Sequence, residues 1–86
     1  MKSEPLAIPT IHTNGTPKDT LIDCYLDAIM VLHDAGSALA RTYPNARDYY
    51  TQGSGATSVA MDQHEARMFQ LREIIKELQQ LVEAIQ

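Results

Sequence analysis

Apolar residues recur along two stretches of this chain at alternating spacings of four and three, the period of a helix-packing seam. In the first stretch one row runs Leu21, Tyr25, Ala28, Leu32, Ala35 and Leu39. A parallel row runs Ile22, Leu26, Ile29, Gly36 and Ala40. Two adjacent rows predict a helix whose apolar face is wider than one partner helix covers. In the second stretch the seam is Met61, His64, Met68, Leu71, Ile75, Leu78, Val82 and Ile85, widened by Ile74 and Leu81. Charged residues such as Glu65, Arg72, Glu73 and Lys76 fall largely on the other side.

Prolines and glycines set the boundaries. Pro5, Pro9 and Gly15 bar a helix in the first fifteen residues. Leu6, Ile8 and Ile11 between them predict an extended arm, or one short strand, packed on the helices. Thr16 suits the N-cap, Pro17 the first helical position, and Asp19 the third, as a weak capping-box acid. Pro44 stops the helix near Arg41 to Tyr43 by disfavouring helical geometry before it. The expected layout is an arm over residues 1–15, helix 1 over about 17–42, a loop over 43–56 and helix 2 over about 57–85. Ser54 or Thr57 is the expected cap of helix 2, after a flexible Gln52-Gly53-Ser54-Gly55 stretch.

The loop is long for a helical hairpin, where two to eight residues is usual, and surplus length hints at function. It still makes the two helices antiparallel. Two such helices do not close a core alone. The predicted fold is therefore all-α: an antiparallel helical hairpin with an extended N-terminal arm, assembling into a helical-bundle homo-oligomer.

Composition narrows the picture. Eighty-six residues make one domain with a limited core. A hydrophobic content of 44% is too high for a disordered tail. Four of the five aromatics are tyrosines and tryptophan is absent, so the core must be aliphatic. The net charge is −4, and the seven cations form no basic run, which argues against extended nucleic acid as a partner. A compact anion needs only one or two cations. Cys24 is the only cysteine, excludes an intrachain disulfide, and is expected as a small core residue. No apolar run nears the ~20 residues that span a bilayer. Met1 to Pro5 lack a signal-peptide apolar core. The expectation is a soluble, cytoplasmic protein.

The candidate chemistry lies in two unusual segments. Asn14-Gly15-Thr16-Pro17 leads into a helix N-terminus, where free N–H groups and the dipole attract anions. It is either a phosphate or carboxylate cradle or an ordinary cap, and it lacks the spacing of a P-loop. The second is Asn45-Ala46-Arg47-Asp48-Tyr49-Tyr50, where a turn needs no arginine and no paired tyrosines. Arg47 either pairs bidentately with an anion or serves Asp48 or the helix 1 carbonyls. Tyr49 and Tyr50 either stack on a base or lid the bundle end. His64 falls on the apolar seam with Arg67 three residues on, either as a core histidine or as a ligand contact near the loop. His12, His33 and His64 share no metal spacing, and no cofactor is expected. No nucleophile elbow or paired carboxylates occur, so catalysis is not expected.

Together, Ile8-Pro9-Thr10-Ile11-His12-Thr13-Asn14-Gly15-Thr16, Asn45 to Gly53 and Gln63-His64-Glu65-Ala66-Arg67 resemble a group of small phage and prophage proteins. That group has an Ile/Val-Pro-Thr-x-His-x-Asn-Gly-Thr-Ser opening, a Gly-Arg-Asp-Tyr-Tyr-Pro loop and a Glu-His-x-x-Arg helix. Here Pro17 stands for Ser, Ala46 for Gly, Thr51 for Pro and Gln63 for Glu. The resemblance is similar in style to phage proteins that sequester nucleotide signals of bacterial defence. It implies a non-enzymatic, homo-oligomeric protein of the bacterial host cytoplasm that binds a cyclic oligonucleotide or ADP-ribose type ligand. The implied ligand residues are His12, Asn14, Gly15, Thr16, Arg47, Asp48, Tyr49, Tyr50, His64 and Arg67. The alternative is a helical protein-interaction module, a small adaptor or inhibitor of a host protein; a hydrolase of nucleotides ranks third.

Overall fold

The computed structural model describes residues 4–86. Met1 to Ser3 of the expected arm lie outside the described residues. Two long helices dominate: α1, Lys18–Ala40, and α2, Ala56–Ile85. The expected loop between them holds two single-turn 3-10 segments, Ala46–Asp48 and Tyr50–Gln52. No strand occurs among the described residues, and the chain is all-α.

α1 starts one residue later than expected. Pro17 is its N-cap, with φ −58° and ψ 144°, and no side chain caps the end. Thr16 and Asp19 therefore do not form the expected cap. The Pro17 carbonyl takes the first helical bond from the Leu21 N–H at 3.0 Å. A proline fits there because extended ψ costs it nothing and no N–H is lost. The helix stops before Pro44 as expected, and its last carbonyls are taken locally. The Arg41 N–H donates to the Ala38 carbonyl at 3.1 Å and the Thr42 N–H to the Leu39 carbonyl at 2.9 Å, and the Thr42 hydroxyl also donates to the Leu39 carbonyl, at 2.6 Å.

α2 starts after Gly55, at φ 91°, with no side-chain cap. Neither Ser54 nor Thr57 caps it. The stretch Gly53 to Gly55 is a turn made by two positive-φ glycines, Gly53 at 108° and Gly55 at 91°. A left-handed Gly55 redirects the chain where Ser or Thr would cap in extended geometry.

Two contacts fix the pairing of the helices. A Cβ on Gly36 would lie 3.4 Å from Leu71 Cδ2, and the rings of Tyr43 and His64 meet at 5.3 Å. Moving seven residues on along α1 moves seven back along α2, so the helices are antiparallel. The same register sets Ile22 level with Ile85, Tyr25 with Val82, Ile29 with Leu78, Leu32 with Ile75, and Leu39 with Met68. These α1 residues are all half-buried and their α2 partners all buried or half-buried. The α2 seam is thus the expected one, joined by Ala60.

The α1 seam is a correction. It runs between the two expected rows, taking Tyr25, Leu32 and Leu39 from one and Ile22, Ile29 and Gly36 from the other. Ala28 and Ala35 face outward with Cys24. Cys24 is exposed, not the expected core residue. With apolar residues on two adjacent rows, periodicity alone left the direction of the seam open by about a quarter-turn.

One hairpin does not make a closed core. Among the described residues the buried ones are Ala60, His64, Ile75, Val82 and Ile85, all on α2, and none is fully buried. The radius of gyration is 18.3 Å, against about 12 Å for a compact chain of this length. The accessible surface is 6587 Å², against about 5,100 Å² for a folded monomer of this mass. The apolar excess lies partly on α1, where Leu26, Met30 and Val31 are 48, 60 and 63% exposed. Cys24, Ala28, Val31, Ala35 and Ala38 form an exposed four-three stripe of small side chains.

Candidate functional site

The loop between the helices is built to hold its shape. The Asn45 side chain accepts the Arg47 N–H at 2.9 Å, an Asx cap on the first 3-10 turn. Asp48 and Tyr49 N–H groups donate to the Asn45 and Ala46 carbonyls, and Gln52 to Tyr49, at 2.9 to 3.0 Å. This backbone places Arg47, Asp48 and Tyr50 in solvent and leaves Tyr49 half-buried. Tyr50 is 73% exposed. Arg47 has no structural duty at the end of α1, since Arg41 and Thr42 already serve those carbonyls.

His64 lies beneath this loop, two turns into α2. It is the most buried residue described, at 3% exposure, and its Nδ1 has no hydrogen-bond partner among the described residues. Tyr43 covers it edge-on, with ring planes at 85°. Burial and the tyrosine lid place His64 in the interhelical seam. Arg67, one turn on, is exposed. Sequence reasoning missed Tyr43 and Asn45. Asn45 follows Pro44 and opens a turn, which is the signal for an Asx cap. Tyr43 carries no such signal, because its role depends on the register of α2.

The N-terminal motif forms a second, separate cluster. The Gly15 N–H donates to the His12 carbonyl at 3.1 Å and closes a turn through Thr13 and Asn14. The His12 ring folds over this turn, and a Cβ on Gly15 would meet His12 Nε2 at 2.8 Å. A Cβ here would push the exposed His12 ring aside. His12, Asn14 and Thr16 are exposed and Gly15 is half-buried.

The two clusters stand at opposite ends of α1. Its 23 residues span about 34 Å at 1.5 Å per residue. Within one chain, Asn14 and Arg47 therefore do not share a pocket. A groove lies elsewhere, between α1 and α2, with a volume of about 510 Å³. Its floor includes Gly36, Ala40, Leu71 and Ile75, and its rim His33, Ser37, Arg72 and Gln79. None of the expected ligand residues lines it. Among the described residues no group of three or more His, Cys, Asp or Glu is placed to hold a metal. No described helix is long and apolar enough to cross a membrane.

Compared with family models, curated proteins and solved structures, the chain matches none.

Proposed function

We propose that this protein is a homo-oligomeric phage anti-defence protein that binds and sequesters a small nucleotide-derived signal in the host cytoplasm without cleaving it. The observation that carries the proposal is the Arg47 loop. Its backbone is pinned by Asn45, its arginine and Tyr50 are exposed to solvent, and neither side chain has a bonding partner among the described residues. A permanently charged guanidinium and an exposed aromatic ring on one short loop suit a phosphate attached to a base.

Assembly supports the same proposal. The surface excess of about 1,500 Å² per chain exceeds the roughly 800 Å² that each partner gives to a standard interface, although the arm accounts for part of it. Packing on the outer stripe of α1 completes the core and sets copies of the Arg47 loop in symmetric positions. An antiparallel neighbour also brings its His12–Thr16 turn beside the Arg47 loop, closing the ~34 Å gap that one chain leaves open. The binding site is then intersubunit.

Titration calorimetry against cyclic dinucleotides and ADP-ribose derivatives, followed by chromatography of the recovered ligand, tests this. The expected outcome is binding with the ligand recovered intact. Arg47→Ala should weaken it at least tenfold, as for loss of a charge-assisted contact of about 1.5–3 kcal/mol. Turnover of the ligand sinks the sequestration reading.

A second reading has its own observation. The exposed Leu26, Met30 and Val31 on α1 also fit a helix-docking face on a host protein. If the protein remains monomeric and binds none of these ligands, the interaction module replaces the ligand-binding oligomer.

A further inference from the structure

The interhelical groove and the N-terminal arm are both left incomplete. The groove exists because Gly36 and Ala40 present almost no side chain opposite Leu71 and Met68. No described arm residue lines it. The arm carries Ile8 and Ile11 at 53 and 40% exposure, more than their apolar surface favours.

We infer that the groove is the receptor for the extended arm, Leu6 to Ile11, of a second copy of this chain. The inference rests on the homo-oligomeric assembly proposed above and adds which segment crosses between copies.

Four features of the chain fit that occupant. The first is length. From Met68 to Gln79 the groove wall on α2 runs about 16 Å at 1.5 Å per residue. Leu6 to Ile11 spans about 16 Å at 3.1–3.3 Å per extended residue. The second is shape. Pro5 and Pro9 hold the arm extended before it docks, so little entropy is lost on binding. The third is polarity. An extended segment brings unpaired backbone N–H and C=O groups, and Ser37, Arg72, Gln79 and His33 around the apolar floor can pair them. The fourth is charge. Glu4 is the only Asp, Glu, Lys or Arg from residue 4 to Pro17, and Arg72 stands on the rim.

The chain's own arm is poorly placed for the task. The turn closed between Gly15 and His12 shortens its reach. Gly36 lies 19 residues along the chain from Pro17, about 28 Å up the helix. Exchange between copies needs no such stretch, and swapping an identical element is a low-cost route to association.

The test is a disulfide between different chains. In a Cys24→Ser background, one protein carries Ile8→Cys, a second Ser37→Cys, and a control Glu65→Cys on the outer face of α2. Equimolar pairs are oxidised with copper phenanthroline and separated without reductant. The expected result is an Ile8→Cys with Ser37→Cys cross-link at least tenfold above the Ile8→Cys with Glu65→Cys control. No preference between the pairs overturns the inference. So does closure of the doubly substituted chain within itself when diluted into unsubstituted protein. A second variant, Ser37→Trp, fills the groove without altering the arm, and should speed amide exchange from Ala7 to Ile11; unchanged exchange counts against docking. Each result is independent of Arg47. An assembled protein without the cross-link refutes the arm alone, whereas a monomer refutes the assembly.

Discussion

Tyr43 stands edge-on to His64, with ring centroids 5.3 Å apart and planes at 85°. The pair joins the last residue before Pro44 to the third turn of α2 and seals the loop end of the hairpin. Tyr43→Phe keeps the ring and should leave the melting temperature nearly unchanged. Tyr43→Ala removes it and should cost about 0.5–1.5 kcal/mol in chemical denaturation. Equal losses in both variants would mean that the hydroxyl, not the ring, holds the contact.

His64 itself separates a core role from a ligand role. Its Nδ1 is buried without a partner among the described residues, and such an atom stabilises nothing. Replacing a buried, unpaired polar group by an apolar one of similar size is neutral or stabilising. His64→Leu should therefore melt at or above the parent temperature and bind nucleotide ligands as the parent does. A drop of more than about 1 kcal/mol would reveal a hydrogen bond that the hairpin lacks by itself.

The Gly15 turn gives a local prediction. Gly15→Ala places a methyl 2.8 Å from His12 Nε2, so the ring must swing away. The ring is exposed, so stability should change by no more than about 0.5 kcal/mol. The His12 ring resonances should shift in a nuclear magnetic resonance spectrum, and unmoved resonances would contradict the close approach.

Much of the hairpin was legible in the sequence, and the reason lies in α2. There, charged residues fill the outer face, so the apolar row has one possible direction, and all eight seam positions from Met61 to Ile85 are buried or half-buried. α1 has apolar or small residues on more than one side, so its seam was read as two rows rather than the line between them, and Cys24 was misplaced. The caps failed for a related reason. Thr16 and Thr57 have the right chemistry, but Pro17 and Gly55 set backbone angles that leave no cap geometry for them. The site was legible as residue types only. That Arg47 is presented and His64 is covered follows from the Asn45 cap and the helix register, which spacing does not disclose.

Gly53 bears on how the Arg47 loop is held. At φ 108° and ψ 169° it occupies a region open almost only to glycine. Gly53→Ala should cost about 1–3 kcal/mol by forcing this turn, and should loosen the loop. Proton exchange at the Arg47 amide should then quicken, and ligand binding should weaken with Arg47 still present. Unchanged exchange would mean that the Asn45 cap holds the loop unaided.

Native mass spectrometry of the purified protein with a mixture of cyclic dinucleotides and ADP-ribose derivatives reads assembly and ligand together. The account predicts a defined multiple of the 9.6 kDa chain carrying intact ligand, with the ligand mass lost and the multiple kept in Arg47→Ala. A 9.6 kDa monomer, or an assembly that carries no ligand from the mixture, would contradict it.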